Sequence, residues 1–196
     1  YRDEIYSLLV ELEFNRAKTN LSIDDLYYFI KKYHSNKYEK QAISIRDSLI
    51  FYRTSKNYNS YKDYIRKNPK GSYIAQAKNE LPNLLHKEAT INQDIRLLNL
   101  FIKDYPNDSR VNQVISIDLP NSTFSNAIDN SNIKLLEFFL EKYPLDERCS
   151  IVSDKLEEVY SEKILNNYST ELFEKFETKF PNSGLVKKLQ KRNLII

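Results

Sequence analysis

The sequence predicts an all-α solenoid of about five helical hairpins, and three observations carry that expectation. One phrase, an apolar helical run closed by an aromatic residue and proline, recurs along the chain. Within each copy the apolar residues fall three and four apart, the spacing of one helical face. No stretch alternates with period two, and Gly occurs only at Gly71 and Gly184, which leaves little from which to build a sheet.

Aligned on the aromatic–Pro pair, the copies read "DLYYFIKKYH" (25–34), "SYKDYIRKNP" (60–69), "LLNLFIKDYP" (97–106), "LLEFFLEKYP" (135–144) and "LFEKFETKFP" (172–181). The anchors His34, Pro69, Pro106, Pro144 and Pro181 are separated by 35, 37, 38 and 37 residues. That is one repeat length with small insertions, in a single domain spanning 1–196.

In chain order, each copy supplies the same three columns. Leu26, Tyr61, Leu98, Leu136 and Phe173 form the first, and Phe29, Tyr64, Phe101, Phe139 and Phe176 the second. The third is Tyr33, Asn68, Tyr105, Tyr143 and Phe180. Ile30, Ile65, Ile102 and Leu140 widen the stripe to the arc of about 100° that a packed helix presents. Glu177 breaks this fourth column in the last copy, as a terminal repeat with one face in water would tolerate.

The anchor proline ends the helix, since it lacks an amide hydrogen and disfavours the α region in the residue before it. A second helix follows, with Ser72, Ser109 and Ser183 placed to cap it. Eight residues past each anchor stand Ala42, Ala77, Val114, Val152 and Leu189, short enough for helices to approach closely. Ala17, Ala89 and Ala127 mark a further column sixteen residues before the aromatic. Leu81-Pro82 and Leu119-Pro120 fall inside second helices, which are expected to kink or split there.

The chemistry-bearing residues are few. His34 and His86 lie on different repeats without Cys or carboxylates at ligand spacing. Cys149, the only sulfur in a chain without Met, reads as a small core thiol, and no intrachain disulfide can form. No phosphate loop, dinucleotide fingerprint or serine elbow is present. A non-enzyme without cofactors or metals is expected. Thirty Lys and Arg against 27 Asp and Glu give a net charge of +3, too little for a nucleic-acid-binding face. Most of the fifteen Tyr and ten Phe are already taken up by the buried columns. No apolar run approaches the ~18 residues that a membrane span needs. The chain opens at Tyr1 in sequence that reads as mid-helix, without Met, which implies a processed or trimmed product.

"YKDYIRKNPKGSYIAQA" (61–77), "LNLFIKDYPNDS" (98–109) and "FEKFETKFPNS" (173–183) carry a resemblance. They are similar to a phrase of the type F-x-x-F-[IL]-x-x-Y-P-x-S-x-Y-x-x-x-A. It occurs in the tetratricopeptide-like repeats of bacterial cell-envelope proteins, such as outer-membrane assembly lipoproteins and Tol-Pal coordinators. The resemblance implies a right-handed superhelix whose post-proline helices line a concave surface. It also implies a non-catalytic scaffold that holds a protein or peptide, in a periplasmic or outer-membrane-associated setting, with a cytoplasmic one as the alternative. A structural or regulatory arm of a larger protein is the other reading.

Two sets of residues are candidates for contact with such a partner. Four residues past the anchors stand Tyr38, Tyr73, Arg110, Arg148 and Leu185, and Tyr and Arg predominate at interface hot spots. A row of cations, Lys32, Lys67, Lys142 and Lys179, closes the helices before the anchors and is interrupted by Asp104. Cations there are also favoured by the helix dipole without any ligand.

Overall fold

The computed structural model describes residues 1–193, with side chains through residue 188. The described residues are helical and contain no strand. The chain divides into two compact units, Tyr1–Glu88 and Ala89 onward. The first contains α1 (Arg2–Asn20), α2 (Ile23–Lys32), α3 (Glu39–Arg53), α4 (Tyr58–Lys67) and most of α5 (Ile74–Ile91). The second contains α6 (Ile95–Asp104), α7 (Val111–Gln113), a π-helical turn (Val114–Asp118) and α8 (Leu119–Asn130). It continues with α9 (Ile133–Lys142), α10 (Cys149–Asn166), α11 (Thr170–Lys179) and α12 (Gly184–Asn193).

Long helices alternate with short ones, and all five short helices (α2, α4, α6, α9 and α11) are 10 residues long. That uniform length has a cause at each end. Ser22, Asn57, Asp94, Asn132 and Ser169 sit at the N-caps, where each side chain accepts a hydrogen bond from a backbone amide of the first turn. At the C-caps, Tyr33, Asn68, Tyr105, Tyr143 and Phe180 share φ between −118° and −130° and ψ between 46° and 58°. Tyr33 adopts this conformation before His34 rather than proline, so proline is not required for the turn.

The aromatic columns are the core. Leu26, Leu98, Leu136, Phe101, Phe139 and Phe176 are fully shielded from solvent. In the first unit Phe14 of α1, Phe29 of α2 and Ala42 of α3 share one apolar cluster. In the second, Leu136 and Phe139 of α9 share another with Val152, Leu156 and Val159 of α10. Ala42, Ala77, Val114 and Val152 are all 0% exposed, and the side chain of Leu189 lies outside the described residues.

The expected split at Pro82 does not occur, because α5 runs unbroken from Ile74 to Ile91. Before Pro120 the helix does not split but widens into the π turn while the flanking residues keep right-handed helical dihedrals, and the repeat length explains it. Ala77 to Ala89 and Val152 to Ile164 each span twelve positions, whereas Val114 to Ala127 spans thirteen. The π turn absorbs the extra residue: the Leu119 amide bonds the Val114 carbonyl five positions back, and Pro120 begins the next helical turn.

Candidate functional site

The Tyr/Arg column is half-buried and rests on aromatic rings of the chain itself. Tyr38 stacks on Phe14 at 4.7 Å and 10°, and Tyr73 on Phe51 at 4.8 Å and 7°. In the second unit the Arg110 guanidinium sits 5.2 Å from the Phe101 ring, and Arg148 sits 4.8 Å from Phe124 and 5.7 Å from Phe139. Tyrosine and arginine interchange at this position because each offers a planar group with a polar rim. Arg148 also donates to the Asn121 side chain at 2.8 Å.

Four of the five turns that follow the anchors are held by the side chain two past the anchor. The Asn36, Asp108, Asp146 and Ser183 side chains accept from the backbone amides of Tyr38, Arg110, Arg148 and Leu185. Of the three serines expected to cap, only Ser183 does so. Asp108 replaces Ser109, because an Asx carboxylate one residue earlier reaches the Arg110 amide at 3.0 Å.

The Ser72 expectation is corrected differently. The second turn has Gly71 where the others have a side chain, and a Cβ there would lie 3.1 Å from the Tyr64 hydroxyl and 3.2 Å from the Asn68 carbonyl. Asp47 of α3 supplies the missing carboxylate, accepting from both the Ser72 amide and the Ser72 hydroxyl at 3.0 Å. Arg46 balances its charge at 2.7 Å.

Asp108 and Asp146 also grip the arginines that follow them. Arg148 donates to both Asp146 oxygens at 2.8 and 2.7 Å, and this holds the carboxyl down to about 2, against burial, which acts in the opposite sense. The folded value lies below the ordinary carboxylate value of about 3.9. The contact is therefore fully stabilising above pH ~4 and is lost as pH falls through about 2. Asp146→Asn should lower the urea midpoint at pH 7 and converge with the parent by pH 2. A deficit that stays constant down to pH 2 would show that the carboxylate charge contributes nothing.

The lysine row is dispersed into different environments. Lys32 lies over the Tyr28 and Tyr33 rings at 5.2 and 4.9 Å, and Lys67 is 3.9 Å from Asp63. Lys142 is exposed at the end of α9. Lys179 meets the Glu137 carboxylate at 3.1 Å and belongs to a larger assembly.

That assembly is a groove of about 570 Å³ between α9, α10 and α11. Lys134, Lys163, Lys175 and Lys179 line it, with Glu137 and Tyr160 among them. Ile133 and Leu172 give it apolar wall. The Tyr160 hydroxyl donates to Glu137 at 2.9 Å, and burial, followed by that carboxylate, raises its pKa well above the ordinary phenol value. Lys175 pairs with Glu171 at 2.7 Å across two exposed side chains. Lys134 and Lys163 are exposed and have no carboxylate partner among the described residues.

Of these four lysines, only Lys179 belongs to the row of cations before the anchors. Lys134 lies in the first turn of α9, Lys163 near the end of α10 and Lys175 midway along α11. They occupy unrelated positions of the repeat, so no column connects them. Cys149 is half-buried, and its thiol donates to the Tyr143 carbonyl at 3.1 Å. No helix among the described residues is long and apolar enough to cross a membrane. Neither a protein-family model nor a curated protein matches the chain.

Proposed function

We propose that the chain is a non-catalytic scaffold of tetratricopeptide-like hairpins, coiled as a right-handed superhelix, and that the α9–α11 groove receives an acidic segment of a protein partner. The observation that supports this reading is the gathering of four lysines from three helices around one open groove, two of them without a counter-charge. Uncompensated ammonium groups at a concave surface raise the local concentration of carboxylates and steer their approach.

The groove chemistry favours a peptide over a phosphate. All four cations are lysines, with no arginine whose planar fork would grip a phosphate bidentately. The pairs already present, Lys179 with Glu137 and Lys175 with Glu171, are ammonium–carboxylate contacts that an incoming Asp or Glu would extend or replace. Ile133 and Leu172, both half-buried, offer contact to an apolar side chain between the acidic ones. Lys142 and Lys67 belong to this reading as more distant charges. Tyr38, Tyr73, Arg110 and Arg148 enter it as supports, since their planar groups already rest on the chain's own aromatics. A bacterial cell-envelope setting belongs to the same proposal and rests on the resemblance of the repeat phrase.

The test is affinity capture from the source lysate, followed by binding kinetics of the captured protein at two salt concentrations. Lys163→Glu with Lys175→Glu should weaken binding at least tenfold and flatten its salt dependence. Tyr73→Ala should act through stability alone. A partner that binds the charge-reversed protein as well as the parent would refute the groove assignment.

The alternative reading, an arm of a larger protein, is favoured by a specific observation of its own: the outer face of α1 is apolar and exposed.

A further inference from the structure

α1 is apolar on two faces. Val10, Phe14 and Ala17 are buried in the cluster shared with α2 and α3. Ile5, Leu8, Leu9 and Leu12 form a second stripe at i, i+3, i+4 and i+7, and they are 65%, 66%, 43% and 68% exposed. A helical stripe of four large aliphatic side chains is normally covered.

The repeat register shows what covers the same stripe elsewhere. Ala17 aligns with Ala89, Ala127 and Ile164, all buried. Twelve positions before Ala17 is Ile5, and twelve before Ala89 and Ile164 are Ala77 and Val152, both 0% exposed. By the same offsets Leu9 corresponds to Leu156 and Leu12 to Val159, which are 2% and 5% exposed, whereas Leu8 corresponds to the half-buried Lys155. Val152, Leu156 and Val159 are buried in a cluster with Leu136 and Phe139, from the short helix α9 that precedes α10. The register also identifies Tyr1. It lies sixteen positions before Ala17, as Tyr73 lies before Ala89 and Arg148 before Ile164, and so occupies the Tyr/Arg column.

We infer that Ile5, Leu9 and Leu12, with Leu8 beside them, seat the ten-residue short helix of one further hairpin of the same polypeptide, joined to α1 through a turn that ends at Tyr1. The register makes the occupant specific. Counting back as from Tyr38 or Arg148, the aromatic of that turn lies five residues before Tyr1, its core phenylalanine nine before and its core leucine twelve before. A second copy of the chain is the less suitable occupant. Four side chains on a single helix offer far less than the ~800 Å² per partner of a stable dimer.

The experiment grafts residues 132–147, "NIKLLEFFLEKYPLDE", directly before Tyr1, which places α9 and its turn in register with α1. The graft should raise Tm by about 5 °C or more. It should have no effect when one extra residue is inserted before Tyr1, because that rotates the seat by ~100°. It should likewise have none with Leu8→Glu and Leu12→Glu, which change exposed positions and leave the fold intact. Equal Tm for the in-register and shifted grafts would overturn the inference. So would a dimer of the ungrafted chain, seen by sedimentation, that Leu8→Glu and Leu12→Glu dissociate, because the occupant would then be a second copy. The groove of the second unit plays no part in this test, so the two proposals fail separately.

Discussion

Phe139→Ala is expected to destabilise the chain by about 3–5 kcal/mol, the range for removing a fully buried phenylalanine and leaving a cavity. Phe139 is 0% exposed and lies at the centre of the second unit. Its ring meets Phe124 at 5.7 Å and Tyr143 at 5.3 Å, and the Arg148 guanidinium lies 5.7 Å from it. Truncation therefore removes the ring contact with Phe124 of α8, the Tyr143 ring's support at the anchor turn and one of the two rings under Arg148. Urea titration followed by circular dichroism measures the loss. A value near 1 kcal/mol would mean that the hairpins do not depend on the aromatic column.

Asp47→Ala should have the next largest effect, about 1.5–3 kcal/mol, because it removes the buried carboxylate that accepts both Ser72 donors and pairs with the half-buried Arg46 guanidinium. Asp47 is 4% exposed and receives Arg46, the Ser72 amide and the Ser72 hydroxyl. Restoring a carboxylate with Gly71→Asp should not rescue the variant, since a Cβ at residue 71 meets the Tyr64 hydroxyl at 3.1 Å and the Asn68 carbonyl at 3.2 Å. Hydrogen exchange at the Ser72 amide reports the contact separately from global stability. Unchanged protection of that amide in Asp47→Ala would contradict the role given to the aspartate.

Both variants bear on what the sequence reveals. The columns of Leu136, Phe139 and Val152 are legible because burial repeats at the helical period and at the repeat length together. The N-caps Ser22, Asn57, Asp94, Asn132 and Ser169 also recur once per repeat, but they vary among Ser, Asn and Asp and escape an alignment made on apolar residues. Asp47 was not legible at all, because it compensates in space for a side chain missing 24 positions later at Gly71. The π turn follows from a one-residue difference in repeat length, and that difference cannot say where the extra residue is absorbed. The lysine groove escaped for a related reason. A solenoid reading looks for equivalent positions, whereas Lys134, Lys163 and Lys175 meet through the packing of three successive helices at non-equivalent ones.

The groove is tested most directly by titrating the isotopically labelled chain with a ten-residue peptide of alternating Glu and Leu and mapping amide shift changes by NMR. The predicted result is a saturable set of changes confined to α9, α10 and α11, centred on Lys134, Lys163 and Lys175 and abolished by Lys163→Glu with Lys175→Glu. Changes centred instead on Tyr38, Tyr73 or the outer face of α1, or none at millimolar peptide, would contradict it.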